Sequence, residues 1–168
     1  MELKYIEPFW DDEFKDLDYR KEIFNDEYAI EKWRENGYEN PVESFSGKMA
    51  NYKDRVPSWN NKFIDFAKER GLKDIGVCYY RMGTNEIIPK HSDAYNAYTK
   101  KFNCKSENVQ KILFFLDDWK SGHYFELEGH PFVEWVRGNY ALWNGSTEHF
   151  AANIGTEFRY TLQITGHK

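Results

Sequence analysis

Along the chain the apolar positions change period near residue 72. Before it, WNNKFIDFAKER carries Trp59, Phe63, Phe66 and Ala67 at helical spacing, with Ser58 ahead as the N-cap and Arg70-Gly71 to close it. A second helix is predicted through YAIEKWREN, capped by Asp26 and stopped at Gly37, with Tyr28 and Trp33 among its apolar residues. From Gly76 onward the pattern shortens to β-prone runs: GVCYYRM, EIIPKHSD, VQKILFFLDD, HYFEL, FVEWV, NYALWN, TEHFAANI and EFRYTLQIT. Turn residues fall between them at Trp119-Lys120-Ser121-Gly122, Arg137-Gly138-Asn139 and Ile154-Gly155-Thr156. Short strands so spaced, with no helical pattern between them, indicate a sandwich, jelly roll or barrel. The expected fold is mainly β with N-terminal helices: a helical layer over residues 1–72 and a jelly-roll core over residues 73–168.

Composition adds limits. The 168 residues fit one domain, and no Pro/Gly/Ser-rich stretch or charge block interrupts them as a linker would. Apolar residues make up 40% and aromatic ones 18%, enough large side chain to bury a core. The net charge is −5 and the basic residues are scattered, so no footprint for nucleic acid is expected. The opening MELKYIEPFWDDEFKDLDYR is acidic and lacks a long apolar run, which argues against a signal peptide or membrane anchor and makes cytoplasmic residence the expectation. Cys78 and Cys104 are too few for a disulfide framework and are read as reduced thiols. Nothing in the chain addresses oligomeric state.

The chemistry starts at His91-Ser92-Asp93, at the end of a predicted strand. Residues two apart on a strand share a face, so an imidazole and a carboxylate converge there. His149, in a later strand, can supply a third ligand. Two histidines and one carboxylate on one face of an octahedral ion leave three positions open, as in non-haem iron(II) oxygenases. His91 and Asp93 alone are weak evidence, because such pairs occur by chance in surface strands. His123 and His130 beside hairpin turns, and His167 near the C-terminus, read as solvated. Arg159, ten residues beyond His149, changes the weighing. It shares a strand face with Thr161, and a guanidinium beside a hydroxyl can clamp the distal carboxylate of a diacid.

Together these residues resemble the 2-oxoglutarate and iron(II)-dependent dioxygenases, especially their prolyl-hydroxylase-like branch, small members of which are also encoded by tailed bacterial viruses. The resemblance covers about residues 76–166: YYRMGTNEIIPKHSD into the ligand pair, KILFFLDDWKSGHYFEL, WVRGNYALWNGSTEH into the distal histidine, and HFAANIGTEFRYTLQITG. It implies a double-stranded β-helix of the cupin-like, jelly-roll kind. It implies that His91, Asp93 and His149 hold Fe(II), that Arg159 and Thr161 hold 2-oxoglutarate, and that Tyr80 also touches this co-substrate, with Tyr79 and Arg81 as alternatives. The implied activity is O2-dependent hydroxylation of an unactivated C–H bond in a peptidyl residue of prolyl type, a free amino acid or another small metabolite, with release of succinate and CO2. Two positions depart from the family: a helper tyrosine is Phe115, and the usual Gly-Gly is Gly122-His123.

Three other readings stand beside it. One is a cupin-like metalloenzyme or ligand-binding jelly roll that uses no 2-oxoglutarate; another is a metal-free interaction module. A nucleobase demethylase ranks below these, because Thr161-Leu162-Gln163-Ile164-Thr165 lacks the second arginine of that group. Tyr95, Tyr98, Trp119, Tyr124 and Trp143 are candidate cavity walls, though for each ordinary core or hairpin packing is the commoner role. Specificity would lie in residues 94–108 and the N-terminal seventy. NAYTKKFNCKSEN reads as a polar, mobile segment, either a cover for substrate or a surface loop.

Overall fold

The computed structural model describes residues 2–21, 26–40, 48–51 and 55–168. Parts of the N-terminal seventy residues expected to border the open end lie outside these. Among the described residues eleven strands form two antiparallel sheets. The larger has seven strands in the order β1 (Lys4–Tyr5), β9 (Asn139–Asn144), β6 (Val109–Phe115), β11 (Arg159–His167), β4 (Lys73–Met82), β3 (Lys48–Asn51) and β2 (Arg20–Lys21). The smaller has four: β5 (Glu86–His91), β10 (His149–Asn153), β7 (His123–Leu127) and β8 (His130–Phe132). Two sheets facing each other across a shared interior make this a jelly roll, a mainly β fold with helices near its N-terminus.

Strand alternation divides the larger sheet into a helix-facing and a cavity-facing side. On β11, Tyr160, Leu162 and Ile164 join Val77, Tyr79, Ile112 and Phe114 in one core, sealed by Trp10, Phe14, Phe63 and Phe66. Arg159 and Thr161 face the other way, into the cavity. Phe115, Leu113, Phe125, Trp135 and Trp143 build a second core between the sheets. The cavity-facing rows follow from register: Thr161 lies between Tyr80 and Phe115, and Thr165 between Gly76 and Lys111.

Helix α1 (Glu27–Glu35) starts where predicted, with the Asp26 carboxylate accepting the Ala29 N–H at 3.2 Å. Ala29 and Trp33, four apart, are buried, whereas Tyr28 is exposed. Trp33 donates Nε1–H to the Lys90 carbonyl at 2.8 Å and so ties the helix to β5. Helix α2 (Asn60–Lys68) buries Phe63, Phe66 and Ala67 and ends at Gly71, whose φ is +79°. Ser58 does not cap it. Its hydroxyl donates to Glu13 Oε1 at 2.6 Å and its N–H to Glu13 Oε2 at 3.0 Å, so the Glu13 carboxylate has captured the expected cap.

Four further differences from the sequence expectation have local causes. The first 72 residues also carry β1, β2 and β3, which extend the larger sheet at both edges. FVEWV is not a strand. Glu128 and Gly129 both have positive φ and form a two-residue hairpin, so pairing begins at once with His130 and ends at Phe132. NAYTKKFNCKSEN contains helix α3 (Asn96–Phe102), ended by Asn103 in the left-handed region. Strand β5 ends at His91, leaving Asp93 in the loop beyond it. Among the described residues Cys78 and Cys104 form no disulfide. Among the described residues no helix is long and apolar enough to cross a membrane.

Candidate metal centre

His91 closes β5 and His149 opens β10, and the two are direct partners in the antiparallel ladder. Their rings lie 4.3 Å apart between centroids. Asp93 turns back toward both: His91 Nε2 is 3.8 Å from its Oδ1 and His149 Nε2 is 3.5 Å from its Oδ2. One ligand atom from each of the three residues fits within 4.8 Å of the others, a spacing that can hold a metal ion.

The tautomers are set by the backbone. His91 Nδ1 lies 2.7 Å from the Pro89 carbonyl and His149 Nδ1 lies 3.0 Å from the Thr147 carbonyl. A carbonyl only accepts, so each Nδ1 carries the proton and each Nε2 presents a lone pair to the centre. Burial favours the same state. It pushes the His149 imidazole down to about 3, helped by His91, and lowers His91 as well. Burial alone would raise the Asp93 carboxyl, but the Lys111 ammonium in contact with it holds it below the ordinary carboxylate range. Two neutral imidazoles and an ionised carboxylate are the donor set that a divalent ion requires.

The centre lies in a cavity of about 820 Å³, also lined by Tyr80, Arg159 and Thr161. Arg159 is 3% exposed; its Nη1 lies 3.2 Å from Met82 Sδ, and its Nε and Nη2 have no hydrogen-bond partner among the described residues. Phe115, Phe125 and Trp135 surround the guanidinium at 5.6–5.9 Å. Desolvation lowers its pKa to about 9, and among the described residues no anion offsets the loss of water. Such a group is a ready receptor for a carboxylate.

Of the three neighbouring candidates on β4, Tyr80 faces the cavity. Tyr79 points the other way and donates its hydroxyl to Asn60 Oδ1 at 2.6 Å. The Arg81 guanidinium packs over Tyr19 and Phe158 outside it. Among the aromatic candidates Tyr95, Tyr98 and Trp143 line the cavity. Trp119 packs in the inter-sheet core and donates to the His123 carbonyl, while Tyr124 meets Phe150 edge to face.

Two residues escaped the sequence reading. Lys111 is 4% exposed and its ammonium contacts Asp93 Oδ2. His123 is buried, not solvated: its Nε2 lies 3.0 Å from the Glu157 carbonyl and its Nδ1 accepts the Lys120 N–H at 3.3 Å. The signal for both was strand alternation. Lys111 shares a face with Val109, Leu113 and Phe115, and His123 with Phe125 and Leu127. His130 is exposed, and His167 pairs with Asp74 at 2.8 Å.

Compared by sequence, the chain matches no family model and no curated protein. Compared by structure, it is similar to a prolyl-4-hydroxylase from Pseudomonas putida, at 12% identity and a TM-score of 0.57, over 89% of this chain and 92% of that one. Weaker likenesses include KdgF from Halomonas sp. (10% identity, TM-score 0.44, 73% of this chain and 79% of that one). Another is a predicted oxalate decarboxylase from Thermotoga maritima (14% identity, TM-score 0.43, 73% and 82%). Fold and site together define a double-stranded β-helix jelly roll whose His91, Asp93 and His149 can hold a metal ion.

Proposed function

We propose that this chain is a 2-oxoglutarate- and Fe(II)-dependent oxygenase that hydroxylates an unactivated C–H bond. The observation that carries the reading is Arg159: a buried guanidinium with unpartnered Nε and Nη2, in the same cavity as the His–Asp–His group. A metal site alone fits many activities. A metal site with an unmatched buried cation fits a co-substrate that offers both a chelating end and a distal carboxylate.

The donor set suits Fe(II), since imidazole and carboxylate ligands together accept it and leave open positions. When bound, the iron supplies oxidative decarboxylation of 2-oxoglutarate coupled to hydroxylation by O2, with succinate and CO2 released. The chain's own residues do the rest. Pro89 and Thr147 fix the two imidazoles through Nδ1, so Nε2 needs no reorientation. Arg159, with Thr161 and Tyr80 beside it, orients the diacid, while Phe115, Phe125 and Trp135 keep water from the guanidinium. Phe115 offers no hydroxyl, whereas Tyr80, the register partner of Thr161 on β4, brings one to the cavity wall beside it.

The test is calorimetric binding of 2-oxoglutarate to the Mn(II)-loaded protein. The reading expects binding by the wild type and a loss of about tenfold or more in Arg159→Met. Metal binding without any affinity for 2-oxoglutarate would favour a cupin-like metal protein of another chemistry.

A further inference from the structure

Lys111 stands in the middle of an apolar strand with its ammonium inside the cavity, over the rings of Tyr95 at 5.5 Å and Trp143 at 6.0 Å. Its only carboxylate neighbour among the described residues is Asp93. That neighbour is already committed, because Asp93 is one of the three groups able to hold a metal. A dication there places two positive charges beside a buried ammonium, and the two imidazoles, neutral with Nδ1–H donated to carbonyls, add no negative charge.

The charges within the buried wall can be followed. Lys111 and Arg159 are positive and Asp93 is negative. A dication makes the wall strongly positive, and a dianionic co-substrate leaves one positive charge over. The acids at the rim do not meet it: the Asp26 oxygens accept the N–H groups of Ala29 and Ala94, and Glu27 is exposed. Register locates the surplus. Arg159 pairs with Met82 at one end of β11, whereas Lys111 lies opposite Thr165, six residues and roughly 20 Å of strand away. A diacid held by Arg159 leaves Lys111, at the other end of the strand and over the rings of Tyr95 and Trp143, with only the shared Asp93 carboxylate among the described residues.

Resting on the oxygenase reading, we propose that Lys111 is a specificity-determining residue that takes a carboxylate of the primary substrate. The substrate is then a small carboxylic acid, with free amino acids the first class to examine, rather than an internal residue of an uncharged peptide. Burial of the ammonium in an 820 Å³ cavity limits the ligand to one that enters it. The aromatic pair around the ammonium excludes water, which strengthens a charge-assisted hydrogen bond to an entering carboxylate.

The experiment titrates Mn(II)- and 2-oxoglutarate-loaded protein with the free L-amino acids and with their methyl esters, by calorimetry. The expected result is binding of at least one acid, with its ester weaker by about tenfold or more. Lys111→Gln should lose the acid by the same factor beyond any change it shows in Mn(II) or 2-oxoglutarate affinity, since its ammonium also contacts Asp93, and Lys111→Arg should retain the acid. Binding of no acid, or equal binding of acid and ester, overturns the proposal. So does a Lys111→Gln variant that loses Mn(II) or 2-oxoglutarate instead, since Lys111 then serves Asp93 or the co-substrate. If an acid binds through Lys111 but 2-oxoglutarate does not bind, this inference stands and the co-substrate reading falls. The reverse outcome removes this inference alone.

Discussion

His91 and His149 face each other as register partners on β5 and β10, and each lends its Nδ1 proton to the carbonyl two residues before it. The pair is therefore built by the ladder and tuned by local backbone, with no distant side chain needed to set either tautomer. Loss of either ring removes a ligand from an otherwise intact sheet. His91→Ala and His149→Ala should each lower Mn(II) affinity by about 100-fold or more while the protein still melts cooperatively. Calorimetry paired with thermal melting reads both quantities; retained metal affinity in either variant contradicts the assignment.

Arg159 makes an unusual prediction about stability. A buried guanidinium whose Nε and Nη2 find no partner among the described residues is a cost to the folded chain, so its replacement by an apolar side chain of similar length should help in the absence of ligand. Arg159→Met should unfold at higher denaturant concentration than the wild type, by about 1–3 kcal/mol. The order should shrink or reverse once the metal-loaded wild type is given 2-oxoglutarate. A variant less stable than the wild type without ligand would mean that Arg159 is a structural residue.

His123 gives a pH dependence independent of metal. Burial, with Arg159 nearby, holds its imidazole below the model-peptide value of 6.5 in the folded state. A depressed folded value means that the unfolded chain binds the proton more readily. The stability His123 contributes is present above pH 6.5 and is lost as pH falls below it. His91 and His149 slope the same way and remain in both proteins, so the comparison of wild type with His123→Gln isolates the one group. The wild-type curve should fall more steeply below that pH, by at most about 1.4 kcal/mol per pH unit. Parallel curves in urea melts would show that His123 does not titrate differently on folding.

Gly145 holds Tyr95 in place. A Cβ added there would lie 2.8 Å from Tyr95 Cε2 and 3.0 Å from the Ser106 carbonyl oxygen. Tyr95 in turn donates its hydroxyl to Asp93 Oδ2 at 3.2 Å. Gly145→Ala should destabilise by about 1–3 kcal/mol and shift Mn(II) affinity as well, whereas Gly129→Ala, with open space around its Cβ but a φ of +77°, should affect stability alone. Unchanged metal affinity in Gly145→Ala would detach Tyr95 from the centre.

The sheet core was legible because period two survives tertiary packing: the alternation of Arg159, Thr161 with Tyr160, Leu162, Ile164 is the alternation of cavity and core. The same rule applied to Lys111 and His123 would have buried both, but polar residues at inward positions read as surface until a cavity is known to lie behind them. β1, β2 and β3 span two to four residues each and carry no periodic signal of their own; they exist because the larger sheet offers edges. Ser58 shows a tertiary contact overriding a local one, since Glu13, 45 residues away, outcompetes the helix for its hydroxyl. His91, Asp93 and His149 were visible in sequence and do come together, but Asp93 reaches the histidines from a loop and not from the strand face that the spacing suggested.

The most direct test follows O2 consumption and succinate together, with Fe(II), 2-oxoglutarate and a panel of free amino acids and proline-containing peptides. The oxygenase account predicts succinate formed in step with O2 consumed, stimulated by a compound that gains one oxygen atom, and absent in His91→Ala. O2 uptake indifferent to 2-oxoglutarate, or succinate formed equally by His91→Ala, would contradict it.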